Sequence, residues 1–218
     1  RAQGCAAVTG PTPPTFEVAP SRWVTASGAF DSWEADDGAQ VRSADTGNLL
    51  LDLAVVERLG LRFDPRYGLT GGEDSLFTRQ LTRAGGVIRF AAGAVVTKRV
   101  PAARARRTWV LERALRSGSS WARVRIDTAG PTDGGASGRL ARLRLRLGYG
   151  AKGLAKAGVD GARAGVARIR HDVPAQARYE VSSRGGLGMV VGALGGHVRE
   201  YGRPRRRRST APAGRGNA

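Results

Sequence analysis

The 218 residues suffice for one sizeable domain, or for a domain with a smaller appendage, and at 41% hydrophobic they can bury a core, though with only 6% aromatic residues. One cysteine, Cys5, excludes an internal disulfide and points to a reducing compartment, while His171 and His197 are too few and too isolated to suggest a metal site. The formal net charge of +18 lies entirely after Pro101, because residues 1–100 are charge-balanced, so the chain divides there.

In chain order, Cys5–Thr9 reads as a short buried strand, ended by "GPTPP", where proline cannot continue a ladder. Pro20–Asp45 has no sustained period and reads as a long surface segment with short helical turns. Leu49–Leu51 is a strand-like run, and Asp52 caps a helix over Leu53–Leu59 that Gly60 terminates. After the turn-rich "LRFDPRYGLTGG", a helix starts at Glu73, buries Leu76, Phe77, Leu81 and Ala84, and stops at Gly85-Gly86. "VIRFA" and "AVVTKRV" read as two short strands around a turn at Ala92-Gly93.

From Ala102 the pattern is helical. Trp109, Leu111, Leu115 and Trp121 lie among arginines, and Asp127–Gly138 is a flexible break. A basic, glycine-interrupted helical region follows, with Leu140, Leu143 and Leu147 on one face. The apolar stretch Gly186–Gly196 falls short of the roughly 20 residues needed to cross a bilayer. The tail from Arg203 is poor in hydrophobic residues and is expected to be disordered.

Within the charge-balanced half, "YGLTGGEDSLF" (Tyr67–Phe77) sets two acids behind two glycines. Gly71 and Gly72 allow backbone conformations and a close approach that side chains forbid. Glu73 and Asp74 then fall in the first helical turn, where they suit the positive end of the helix dipole. The residues leave two readings open: simple capping of the helix, or a carboxylate that deprotonates a hydroxyl nucleophile.

The order of motifs adds to this. "TGNLLL" (Thr46–Leu51), "FDPRYGLTGGEDSLFTRQLTRAGG" (Phe63–Gly86), "VIRFAAGAVVTKRVPAAR" (Val87–Arg104) and "WVLERALRSGSSW" (Trp109–Trp121) occur in series. Together they resemble the second half of the catalytic domain of family 2 glycosyltransferases with the GT-A fold, of the bacterial cell-envelope and succinoglycan-biosynthesis type. The resemblance spans roughly residues 3–125 and, more loosely, Gly185–Gly202.

It implies an α/β chain: the C-terminal part of a GT-A mixed sheet, followed by a basic, mostly helical region. Residues 1–101 would be the acceptor-side half of the catalytic domain and 102–127 a helix completing it. Residues 128–202 would form a glycine-rich, membrane-associating region, and 203–218 a disordered tail. The implied reaction is inverting transfer of a sugar from a nucleotide-sugar to a glycan or lipid-linked acceptor. Asp74 would be the general base and Glu73 its neighbour, orienting acceptor hydroxyls or the loop. Thr46, Gly47 and Asn48 would line the site near donor and acceptor, with Gly71 and Gly72 giving access. Arg104 and Trp109 match the basic and aromatic positions after the "VP" strand, where a cation would help hold the diphosphate.

The family's first half carries a nucleotide-binding βαβ unit and an Asp-rich motif for Mn²⁺ or Mg²⁺, and neither occurs in this sequence. Asp36-Asp37 reads as solvated surface, and Lys98 stands where relatives tend to carry an acid. With a first strand beginning a few residues after Arg1, the natural N-terminus is expected to be missing.

The basic half admits three partners. An anionic membrane surface ranks first for residues 102–202, solvated surface second, and nucleic acid third, because no aromatic platform accompanies the arginines. The expected location is cytoplasmic, peripheral on the inner face of the membrane. The alternative to an enzyme is a non-catalytic basic protein that binds anionic membranes or nucleic acid through residues 102–208.

Overall fold

A computed structural model describes residues 5–129, 135–196 and 198. The chain is a mixed α/β unit that gives way to three long helices. A four-stranded sheet is built from β1 (Ala7–Thr9), β3 (Gln40–Val41), β4 (Leu49–Leu51) and β5 (Ile88–Phe90), in the order β3-β5-β1-β4. β1 pairs parallel with β5 and antiparallel with β4, while β3 runs antiparallel to β5. β2 (Pro14–Phe16) and β6 (Lys98–Val100) form a separate parallel pair.

β1 ends at Thr9, before "GPTPP", as expected, but a strand the sequence did not announce follows at once: Pro14 opens β2. Proline is tolerated at the first residue of a strand, where no ladder donor is required. The two strands expected around Ala92-Gly93 exist, but they belong to different sheets. Pro20–Asp45 is more integrated than its sequence suggests. It contributes α1 (Arg22–Ala26) and β3, and it buries Val24, Phe30, Val41 and Ala44.

Local signals place the helices around the sheet. Asp52 caps α2 (Leu53–Arg58), its Oδ1 accepting from the amides of Ala54 at 3.0 Å and Val55 at 3.3 Å. α3 (Glu73–Arg83) buries Leu76, Phe77, Thr78 and Leu81, whereas Ala84 is exposed just past the helix end. Leu81 and the β1 and β5 residues Ala7, Ile88 and Phe90 form the core under the sheet. Leu81 has no solvent exposure. Leu81→Ala is thus expected to cost about 2–5 kcal/mol in urea unfolding, and a loss well below that would mean the site collapses around the cavity.

Beyond Pro101 the chain forms α4 (Arg107–Ala129), α5 (Ala136–Ile169) and α6 (Val173–Ala193). The break expected over Asp127–Gly138 is much shorter: α4 continues through Ala129, and α5 is one uninterrupted helix despite seven glycines. α6 packs on α4, α5 and α1, and its Val181 joins the cluster of Val24, Phe30, Val100 and Val110. The seams are made of small residues. A Cβ added at Gly188 would fall on the carbonyl oxygen of Leu115, and one at Gly192 on that of Ser119. Between α5 and α6, a Cβ at Gly153 would lie 2.7 Å from the Gly186 carbonyl oxygen. The tail from Arg203, expected to be disordered, lies outside the described residues, as does His197.

Candidate functional site

Asp74 stands where two open clefts meet, because it lines both. The first, of about 760 Å³, runs between the 67–75 loop and α4. The second, of about 780 Å³, opens on the other side toward Thr9, Trp33 and Gln40. Ser43, Asp45, Ser75, Arg79 and Arg125 also border both.

The loop that delivers Asp74 depends on its glycines. Gly71 (φ 73°) and Gly72 (φ 95°) are both left-handed, and a Cβ at Gly72 would lie 2.9 Å from the Ser120 Cβ. Loop and α4 are then fastened together. The Ser120 hydroxyl donates to the Thr70 carbonyl at 3.1 Å, and Arg123 donates to the Thr70 hydroxyl at 2.9 Å. Tyr67, fully buried, donates its hydroxyl to Asp127 Oδ2 at 2.6 Å, and the Arg123 guanidinium lies 4.5 Å from the centre of its ring. Burial first, and the Asp127 bond second, push the Tyr67 phenol well above its usual value, so it serves as a fixed donor.

Asp74 is the second residue of α3, its Oδ1 accepting from the Ser75 amide at 2.6 Å. Burial raises its carboxyl above the usual aspartate value, and the nearby charges of Asp45 and Glu73 raise it further. The amides of Ser75 and Thr46 act the other way by holding the charged form. The N-cap of α3 is Gly72 and no side chain caps it, so Asp74 sits in the first turn as a desolvated carboxyl held by the Ser75 amide rather than as the cap. Because the neighbouring charge of Asp45 raises Asp74, Asp45→Asn is expected to lower it. The acid limb of any activity that needs ionised Asp74 would then move to lower pH in a kcat/KM profile, and an unmoved limb would uncouple the two residues.

Asp45 also organises the Thr46–Asn48 turn, accepting from the Gly47 amide at 2.8 Å. Lys98 faces it at 3.8 Å, so the unexpected lysine pairs with an acid at the cleft rim. Glu73 Oε2 and Arg79 Nε are buried and meet no hydrogen-bond partner among the described residues. Both side chains border the first cleft, so each brings unspent hydrogen-bonding capacity to its wall.

Of the residues singled out in the sequence, Asp74, Glu73, Thr46, Gly47, Gly71, Gly72, Arg104 and Trp109 all line the first cleft. Asn48 is not among its lining residues. Its Nδ2 donates to the carbonyls of Ala94 at 2.6 Å and Pro11 at 3.1 Å, tying the turn to two loops.

Sequence reasoning missed most of the opposite wall. Trp109 stacks on Phe30 at 5.7 Å, and the guanidiniums of Arg104, Arg113 and Arg116 lie within 5.9 Å of its ring centre. Arg125 covers Trp121 at 4.5 Å. The signal was present: Trp109, Arg113, Arg116 and Ser120 are spaced to share one face of α4. Lys98, Arg99, Arg104, Arg113 and Arg116 make that side of the cleft strongly cationic. Among the described residues, no three of His, Cys, Asp or Glu come together to hold a metal ion.

No family model matches the chain, and no solved structure matches it. Over 129 residues, 59% of its length, it is 33% identical to the succinoglycan biosynthesis protein ExoM of Rhizobium meliloti (strain 1021). That stretch covers 42% of the relative, so the chain spans less than half the length of the curated protein it resembles.

Proposed function

We propose that this chain carries the acceptor-side part of a glycosyltransferase of exopolysaccharide or cell-envelope synthesis, with a GT-A-type sheet and inverting, family 2 chemistry. The observation that carries the reading is Asp74: a desolvated carboxylate at the junction of two clefts, in a chain similar to a succinoglycan biosynthesis protein.

In the proposed reaction, Asp74 takes the proton from an acceptor hydroxyl. The hydroxyl oxygen bonds to the anomeric carbon of a nucleotide-sugar, the bond from that carbon to the diphosphate breaks, and its electron pair leaves on the phosphate oxygen. A single displacement of this kind inverts the anomeric centre. Glu73, with an unpartnered buried oxygen, orients acceptor hydroxyls. The wall of Lys98, Arg99, Arg104, Arg113 and Arg116 suits the phosphate-bearing substrate, since fixed cations stabilise the charge that develops on a leaving diphosphate. Gly71 and Gly72 keep side chains out of the path to Asp74.

The test is a transfer assay on the product of the complete open reading frame, with a panel of labelled nucleotide-sugars and glycan acceptors. The reading expects label to move to a glycan hydroxyl, with the anomeric configuration inverted by NMR. Retention of configuration, or nucleotide release without a glycan product, would overturn it.

A further inference from the structure

We propose that α5 docks its outward face on an anionic lipid bilayer. This surface is separate from the Asp74 clefts and does not depend on the glycosyl-transfer reading. The inward face of α5 is fixed by α6. Gly153 meets the Gly186 backbone, and Asp160, the only acid in α5, is turned inward to accept from the Ser182 hydroxyl and pair with Lys156 and Arg163.

With that face committed, Leu140, Leu143, Leu147, Leu154 and Ile169 fall on the opposite side. They are 49, 51, 65, 61 and 79% exposed. Gly158 and Gly165 continue the line, with nothing within 4 Å of an added Cβ. So long an exposed apolar stripe marks an interaction surface.

Charge selects the occupant. Arg144 flanks the stripe on one side, and Arg139 and Arg168 on the other, at positions set by helical spacing, with no acid on that face. A leucine row between cations is the pattern of a helix lying in a membrane interface, with its apolar face in the acyl boundary and its cations on lipid phosphates. A second copy of the chain would bring arginine rows against one another. A nucleic acid would engage the arginines and leave the leucines in water. No helix among the described residues is long and apolar enough to cross a membrane, so the contact is interfacial. Tyr149, on the inward side of α5 with Gly153 and Asp160, packs edge-on against Trp121 at 5.5 Å and so helps to fix which face is turned outward.

The test is co-sedimentation of the full chain with phosphatidylcholine vesicles, with and without phosphatidylserine, at ~0.15 M salt. The wild type is expected to bind only the anionic vesicles. Leu147→Ser with Leu154→Ser should weaken binding by about tenfold or more, since both side chains enter the acyl boundary. Helical circular dichroism should be unchanged, because both residues are exposed. This variant keeps the arginine-rich C-terminal tail, so the loss would be assigned to α5. Three results would overturn the proposal: no binding to anionic vesicles, binding unchanged by the leucine substitutions, or a leucine-dependent dimer in sedimentation velocity without vesicles. Displacement by duplex DNA, equal for wild type and the leucine variant, would assign the surface to nucleic acid instead.

Discussion

Replacing Asp74 with asparagine is expected to lower sugar transfer by about 10²–10⁴-fold, the usual contribution of a positioned general base, while the protein melts at the same temperature or slightly higher. The two halves of this expectation have different causes. Asparagine keeps an oxygen for the Ser75 and Thr46 amides but cannot take a proton, so geometry survives and basicity does not. For stability the sign follows from burial. The folded-state pKa of Asp74 lies above the unfolded value, so the carboxyl favours the fold only while protonated, and that advantage is lost as pH rises through the folded pKa. At neutral pH the charged, desolvated group costs stability, and Asp74→Asn removes that cost. Donor binding, followed by titration calorimetry, should be unaffected. Transfer within a few-fold of wild type would remove Asp74 from the role of base, and a large fall in melting temperature would reassign it to holding the start of α3.

That Asp74 could be singled out from sequence reflects how local its signals are. Glycines requiring positive φ, acids in a first helical turn and an aspartate cap at Asp52 are all decided within a few residues, and each is found in the fold. What was hidden depends on distant partners. β2 exists because Pro14–Phe16 meets Lys98–Val100, more than eighty residues away, and nothing in "GPTPP" announces that pairing. The burial of Val24 and Phe30 depends likewise on Val100 and Val110. In the site, the cationic wall was legible only as helical spacing along α4, and the abundance of arginine in the second half hid it. The continuity of α5 was obscured for another reason. Each glycine costs a helix about 1 kcal/mol relative to alanine, so seven of them read as breaks. At Gly153 that intrinsic cost is offset by a backbone contact with α6 that no larger residue permits.

The same close packing makes Gly118→Leu the substitution expected to disturb stability and site together. Gly118 is buried in α4, and a Cβ there would fall on the carbonyl oxygen of Gly185 in α6. A flexible neighbour could turn aside, but backbone cannot, so α6 must move away along a seam that also includes Gly188 and Gly192. Overpacking a core typically costs about 1–3 kcal/mol, and this contact belongs at or beyond the upper end because a helix axis has to shift. The melting temperature should fall by several degrees, as about 1 kcal/mol shifts a domain of 150–250 residues by roughly 2–4 °C. Gly165→Ala in α5 is the control. Its Cβ meets nothing within 4 Å, so relief of the glycine penalty should leave stability unchanged or raise it by about 0.5–1 kcal/mol. An unchanged melting temperature for Gly118→Leu would show that α4 and α6 do not approach as closely as described. The site should register the shift too, because α4 carries Trp109, Arg113, Arg116 and Ser120. Displacing it separates the cationic wall from the loop that Ser120 and Arg123 hold in place. Trp109 and Trp121 fluorescence should therefore change together with any loss of substrate affinity, and tight binding retained in a destabilised Gly118→Leu protein would place the ligand away from this wall.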